Sequence, residues 1–423
     1  MSVPNPGFHF GGLYAGNINR VSSQSTKSTH LFRFYSNLEF GNNFEIVNTV
    51  ILDQELIADP SYLGDNWRGF AGYTEQAFAS FETKRFTAKF GRDFLRWGRG
   101  QDATLLVSDY SRPFDQFNLQ LRVDKIQFSY FTSKLDAIKL TGHSENAGAF
   151  PYAERYMSGG RLDIALFDQS LQFAVNQAVL YARAGGFEWS YLNPFLVYHG
   201  ESLNDLPRHS NSIISLDVSF FPRAGLELYG EVLIDDFQIE SKTLDDLEPD
   251  EYGFLFGTRM ADLFGTRGVT TGIEYSKVKN RTYNSPEFFE KFLHRNRPIG
   301  HFLGNDFDRW LLFARKYLGT AWRIHAQADF RRHGEGRIEA PWDTPWLAST
   351  LEEGYSEPFP TGIVEKTRRF GVELRWHPQP RWFVELTWHY TKFDNHLNVR
   401  DAELSETEIR LNIWLEWSKW MKI

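Results

Sequence analysis

Apolar and polar residues alternate with period two along most of this chain. From Trp382 to Tyr390, residues Trp382, Val384, Leu386, Trp388 and Tyr390 share one face, and Phe383, Glu385, Thr387 and His389 share the other. The segment Trp322 to Arg331 repeats the pattern, with Trp322, Ile324, Ala326, Ala328 and Phe330 set against Arg323, His325, Gln327, Asp329 and Arg331. Segments 32–40, 226–235, 370–376 and 409–417 do the same. Successive side chains of an extended strand point to opposite faces. A period of two over about ten residues therefore predicts strands with one apolar and one polar face.

The connections carry a second regularity. Very short turns are expected near residues 41–43, 83–85, 123–125, 168–170, 222–224, 264–266, 318–320 and 378–380. Between them lie nine longer loops, at about 16–29, 54–72, 93–114, 135–156, 182–209, 236–250, 278–305, 332–366 and 394–405. Short and long alternate along the whole chain, so seventeen connections join eighteen strands. Tilted strands of about ten residues span the hydrocarbon core of a bilayer. Only a closed barrel lets them do so without unpaired edges. Short turns on the periplasmic side and long loops outside are the mark of outer-membrane barrels. The expected fold is all-β: a transmembrane antiparallel β-barrel of about 18 strands, with residues 1–423 forming one domain. Trp322, Trp376, Trp382, Trp414, Trp417 and Trp420 fall near strand ends, as interfacial aromatic girdles require. A soluble sandwich needs no such alternation of loops. A propeller would show repeats of about 40–50 residues, and none is visible.

Composition fits this inside-out arrangement. Aromatics make up 16% of the chain, yet mean hydropathy is −0.43. The net charge of −8 argues against a nucleic-acid partner. There is no cysteine, hence no disulfide and no thiolate metal site. No apolar run is long enough for a transmembrane helix. Met1 to Gly7 lacks the apolar core of a signal peptide, so the expectation is a mature chain whose export signal has been removed.

With the apolar face toward lipid, the polar face lines the lumen. Arg33, Glu39, Arg122, Asp217, Glu227, Glu231, Asp235, Arg323, His325, Asp329, Glu373, Arg375, Glu385, His389, Glu408, Arg410 and Glu416 are expected to point inward. Asp236 joins Asp235 at its strand end, where the pair could orient neighbouring arginines. Mixed charge of this kind suits a bracing network of cross-strand ion pairs, or the lining of a selective channel.

The loops are unusually apolar. "GRDFLRWGRGQDATLLVSDYSRPFDQ", residues 91–116, crowds arginine, tryptophan and glycine ahead of Leu105 to Val107. Residues 183–208 carry Trp189, Tyr191, Phe195 and Tyr198. In 283–304, Ser285 as N-cap and Pro286 at the first position predict a short helix ending before Pro298. Such loops must bury their apolar side chains, so they are expected to fold into the barrel mouth and occlude the lumen. Aromatic rings stack on sugar faces, and planar polar groups take paired hydroxyls. Arg92, Arg96, Trp97, Arg99, Trp189, Tyr191, Tyr198, His199 and Arg208 are therefore candidates for glycan binding, or for holding a loop plug together. The acidic run 245–251 lacks the ligand spacing of an EF-hand and reads as a solvated loop. No metal or cofactor is expected. Neither a Gly-x-Ser-x-Gly elbow nor a His-Glu-x-x-His motif occurs, so no enzyme is expected.

Three ordered segments resemble the Wzi family of outer-membrane capsule-assembly proteins. "FGRDFLRWGRGQDATLLVSDYSRP", residues 90–113, is similar to the family's strand-end Gly-Arg followed by Trp-Gly-x-Gly, a Leu-Leu-x-Ser run and a proline. "LELYGEVLIDD", residues 226–236, resembles its Tyr-Gly-Glu strand ending in Asp-Asp. "NRPIGHFLGNDFDRW", residues 296–310, is similar to its Gly-His-x-x-Gly stretch. The resemblance implies an eighteen-stranded, monomeric lectin that holds capsular polysaccharide at the cell surface, embedded among outer-membrane lipid and lipopolysaccharide. The chain departs from the pattern in three places. No N-terminal helix precedes the strand at Phe8, Arg99 stands where the motif often has proline, and "SKWMKI" lacks a terminal aromatic. Three functions stay open at this stage: surface glycan binding by the loops, a porin-like solute channel, and a scaffold subunit with an envelope protein partner.

Overall fold

The structure, a computed structural model, describes residues 7–139, 152–183, 186–202, 210–237 and 242–422. Eighteen strands form one antiparallel sheet that closes on itself. In chain order they are β1 (Gly7–Val21), β2 (Lys27–Phe40), β3 (Phe44–Asp53), β4 (Ala71–Glu82), β5 (Phe86–Asp93) and β6 (Phe114–Val123). Then come β7 (Ile126–Lys134), β8 (Arg155–Leu166), β9 (Leu171–Ala182), β10 (Ser210–Arg223), β11 (Leu226–Asp236) and β12 (Glu251–Ala261). The last six are β13 (Val269–Val278), β14 (Phe307–Leu318), β15 (Trp322–His333), β16 (Glu365–Gln379), β17 (Trp382–Asp394) and β18 (Glu403–Lys422). Each strand pairs with the next. The ring closes where β1 meets β18, from Gly7 opposite Lys422 to Val21 opposite Glu408. Closure leaves no strand edge unpaired, which is what lipid demands of a spanning sheet.

The alternation becomes geometry. Trp310 and Leu312, Phe330, Phe370 and Val372, and Leu386 and Trp388 stand exposed on the outer face. At the turn end of the wall, Trp322 stacks on Trp376 with ring centres 5.7 Å apart, and Trp382 meets Trp376 edge-on at 5.3 Å. Trp414 departs from the expected girdle. It shares parity with Arg410 and Asn412, faces inward, and stacks on Phe383 at 5.4 Å.

Two further expectations change. The loop foreseen at 16–29 shrinks to residues 22–26, because β1 runs to Val21 and β2 starts at Lys27. Asn17 and Asn19 resemble turn residues in sequence but are strand positions, donating to Glu55 and Glu408. The helix foreseen from Ser285 is only a 3-10 turn, Phe288–Glu290. A two-residue ladder, Leu293–His294 with Arg297–Pro298, follows it. Arg295 and Asn296 adopt positive φ at its tip, which makes a tight hairpin where a helix would have continued.

Candidate functional site: the lumenal plug and the loop mouth

After β5 the chain turns inward. Trp97 donates its backbone N–H to Val107 at 2.8 Å, folding residues 97–107 into a compact lobe. Trp97, Leu105, Leu106 and Val107 are buried with Phe131, Met157, Leu233 and Leu255 of the wall. The Trp97 ring meets Phe131 edge-on at 5.0 Å. Gly159 makes room for both, since a Cβ there would lie 2.4 Å from the Phe131 ring and 3.0 Å from that of Trp97. Tyr283, Phe292 and Ile299 of the loop between β13 and β14 complete the cluster. The two loops are stitched together. Ser108 donates to the Ile299 carbonyl at 2.7 Å, and the Tyr283 hydroxyl donates to the Leu105 carbonyl at 2.6 Å.

Carboxylates of the wall fix this plug through its backbone. Glu231 on β11 accepts N–H groups from Arg99, from Gly100 at 2.6 Å and from Leu105 at 2.7 Å. Gly98 allows the approach: it has φ +136°, and a Cβ would lie 2.6 Å from the Glu231 carboxylate. Glu274 on β13 accepts from the Gln101 N–H at 2.6 Å and the Tyr229 hydroxyl at 2.8 Å. Asp217 on β10 receives Arg99 at 2.8 Å and Arg161 at 2.6 Å. Arg259 lies 4.0 Å over the Tyr229 ring and donates to the Arg99 carbonyl at 2.6 Å. Arg309 bridges Asp102 of the plug and Asp329 of the wall at 2.7 and 2.9 Å. A buried carboxylate without donors is costly, so these acids and the plug amides satisfy one another. Glu274, Arg161, Arg259 and Arg309 were not among the sequence candidates. Strand parity alone places them inward, beside Ser276, Gly159, Leu255 and Leu311.

The opposite wall is built differently. Across β15 to β18, Arg323 pairs with Glu373, and Arg375 Nε donates to Glu385 at 2.8 Å. Arg331 pairs with Asp329 at 2.5 Å, and Arg369 Nη2 lies 3.0 Å from His389 Nδ1. Glu408 lies 3.4 Å from Arg410, which reaches Glu55 at 3.4 Å. His325 is inward-facing, and its Nδ1 makes no hydrogen bond. Most of these side chains are half-buried, whereas Asp329 and Glu385 are buried.

The remaining candidates divide by location. Arg92 forms a bidentate pair with Asp115 at 2.8 and 2.6 Å. Arg96 holds Asp109 at 3.1 Å and the Gly100 carbonyl at 2.5 Å. Trp97 lies inside the plug. Arg99 sits at the plug's far end, in a cavity of about 640 Å³ among the periplasmic turns that it shares with Arg122, Asp163 and Gln172. Tyr191 and Tyr198 are buried with Tyr156 and Tyr181. Trp189 is 83% exposed. His199 is exposed, with Nδ1 3.1 Å from the Ser212 hydroxyl. Asp235 accepts the Tyr283 N–H at 2.6 Å, whereas Asp236 is exposed at the strand end. Arg208 lies outside the described residues. The acidic run 245–251 forms a 3-10 turn, Asp245–Leu247, that leads into β12.

Among the loop groups with shifted proton affinities are Glu290 and Asp136. Burial pushes the Glu290 carboxyl up to about 7, with the Ser285 hydrogen bond opposing and Glu287 adding to the rise. Burial would also raise Asp136. The His294 hydrogen bond, the Arg155 charge and the Arg295 N–H outweigh it and hold Asp136 down at about 2.

The plugged barrel has relatives. Wzi of Escherichia coli, described as an outer membrane protein involved in group 1 capsule assembly and a carbohydrate-binding β-barrel, superposes with a TM-score of 0.63 at 14% identity, covering 96% of this chain and 84% of that one. Pseudomonas aeruginosa OccD3 (OpdP) superposes with a TM-score of 0.53 at 12% identity, covering 97% of this chain and 91% of that one. Pseudomonas aeruginosa OpdK, solved with vanillate, gives a TM-score of 0.53 at 11% identity, covering 99% and 100%. At such identities the likeness is one of fold. No curated protein matches the chain. The family model for the capsule assembly protein Wzi matches residues 2–406, from ahead of β1 into β18. By that match this outer-membrane barrel belongs to the Wzi family of capsule assembly proteins.

Proposed function

We propose that this barrel holds capsular polysaccharide at the cell surface through its long loops, acting as a single barrel whose lumen is closed by its own plug. The observation that carries the reading is Glu231, which binds three backbone N–H groups of the plug from the wall. A lumen filled in this way leaves the loop mouth as the surface on which a polymer can be held. Exposed loop rings, Trp189 among them, suit stacking on sugars. The holding role needs no chemistry on the polymer and no cofactor.

The test is calorimetric binding of purified capsular polysaccharide to the detergent-solubilised barrel. Native protein is expected to bind, and Trp189→Ala to bind at least about fivefold more weakly, the loss of one stacked ring. Absence of binding by the native protein would end the proposal. A solute channel is the second reading, favoured by the half-buried charge ladder of β15 to β18. Steady conductance of the native barrel in planar bilayers would put that reading first. A closed native barrel that conducts after deletion of residues 95–112 would support the plug.

A further inference from the structure

A second charged pocket opens at the loop rim, away from the Glu231 anchor. It is a cavity of about 150 Å³ lined by Ser61, Tyr62, Tyr73, Arg92, Arg112 and Arg295. Three segments distant in sequence meet there: the loop after β3, the exit of the plug, and the tip of the hairpin before β14.

The arginines are not equally occupied. Arg92 is engaged by Asp115, in a bidentate pair. Arg112 is 9% exposed. Its Nε donates to the Ser61 hydroxyl at 2.8 Å, and its guanidinium lies 4.9 Å over the Tyr73 ring. Its Nη2 makes no hydrogen bond. The nearest carboxylate to Nη2 is Asp59, at 3.5 Å, and Asp59 is already held by Arg297. Arg295 is fixed by its backbone, whose N–H donates to Asp136 at 3.0 Å. Its guanidinium has no partner among the described residues.

The pocket thus brings together two guanidinium groups with unused N–H groups beside two tyrosine rings, in a chain of net charge −8. A guanidinium fork matches a carboxylate in its own plane, and a tyrosine ring offers a face to a sugar. We propose that this pocket takes the carboxylate of an acidic sugar, a uronate unit of the polysaccharide. The proposal rests on the holding role above and adds the class of sugar. Arg112 and Arg295 bind the carboxylate. Tyr62 and Tyr73 bound the ring.

The experiment is calorimetry on the full chain in detergent with hexameric oligogalacturonate, and with the same oligomer after reduction of its carboxyl groups to alcohols. The acidic oligomer is expected to bind at least about tenfold more tightly than the reduced one. Arg295→Gln is expected to weaken the acidic oligomer at least about fivefold and to leave the reduced oligomer unchanged. Arg112→Gln should show a larger effect, and Arg295 on its hairpin tip provides the variant that keeps the fold. Equal affinity for both oligomers, or an unaltered Arg295→Gln, would overturn the proposal. So would full displacement by inorganic phosphate or by lipopolysaccharide, which would give the pocket to a phosphate group or to membrane lipid. If capsular polysaccharide binds with or without its carboxyl groups, the holding role stands and this pocket falls. If only the oligogalacturonate binds, through Arg295, the pocket stands and the holding role falls.

Discussion

The two sides of the lumen use the same residue types in opposite ways. Along β10 to β13, Asp217, Glu231, Asp235 and Glu274 are almost fully buried, and three of the four accept backbone N–H groups from the two plug loops. Along β15 to β18, Glu373 and Glu408 stay partly exposed while Glu385 is buried; Glu373 and Glu385 take arginines from neighbouring strands, and Glu408 takes Arg410 of its own strand. The difference lies in what each wall faces. A lobe of main chain presents more donors than its own Asp102 can meet, so the wall supplies the acceptors. Beyond Asp329 and Arg331, which still face the plug, the wall pairs with itself. Buried anchors of the first kind are expensive to break, whereas part-exposed pairs of the second kind contribute little.

The largest break in this contrast is Glu231→Ala. It strands three buried N–H groups, at a cost of about 3–6 kcal/mol. The expected outcome is a lowered Tm together with channel openings in planar bilayers. An unchanged, closed barrel would mean that the apolar cluster alone seats the plug. Trp97→Ala comes next. It removes a ring packed on Phe131, and cavity formation at such a site costs about 3–5 kcal/mol. Denaturant unfolding would register this loss, with conductance rising less than for Glu231→Ala.

The third prediction concerns pH at the plug's second loop. Burial raises the Glu290 carboxyl to about 7, so the folded state favours its protonated form. Its stabilising contribution is complete below the unfolded value and is lost as pH rises through about 7. Native protein should therefore gain on Glu290→Gln between pH 8 and pH 5, by an amount on the order of 2 kcal/mol. A stability difference that stays flat with pH would contradict this. The smallest effect belongs to the ladder. Arg375→Gln should cost under about 1 kcal/mol and leave conductance unaltered. A large opening from that variant would erase the distinction between the two walls.

The barrel itself was legible because its signal is carried by side chains. Period two along Trp382 to Tyr390, and turns such as Gly41-Asn42-Asn43, mark strand faces and strand ends directly. The plug was legible in kind but not in detail. Residues 91–116 stood out as too apolar for a surface loop, yet nothing in their letters shows which amides Glu231 receives. Those donors are main-chain groups, common to every residue except proline. Strand parity marks Glu274 and Arg259 as inward, but their partners lie 173 and 158 residues away and leave no local trace in the sequence. The helix expected after Ser285 failed for a local reason. A cap and a proline can open a helix, but Arg295 and Asn296 in left-handed conformation close a hairpin.

The sequence separations across the plug bear on how the molecule is made. The Glu231 contacts span 126 to 132 residues, and the one between Tyr283 and Leu105 spans 178. Contacts this distant form late, after shorter-range pairings have organised the chain. During export, Leu105, Leu106 and Val107 leave the translocation machinery long before β11 to β13 exist to cover them. The newly arrived polypeptide therefore crosses the periplasm with a sticky apolar segment in the open. Until β11 to β13 close over it, that segment is an exposed site for unwanted association.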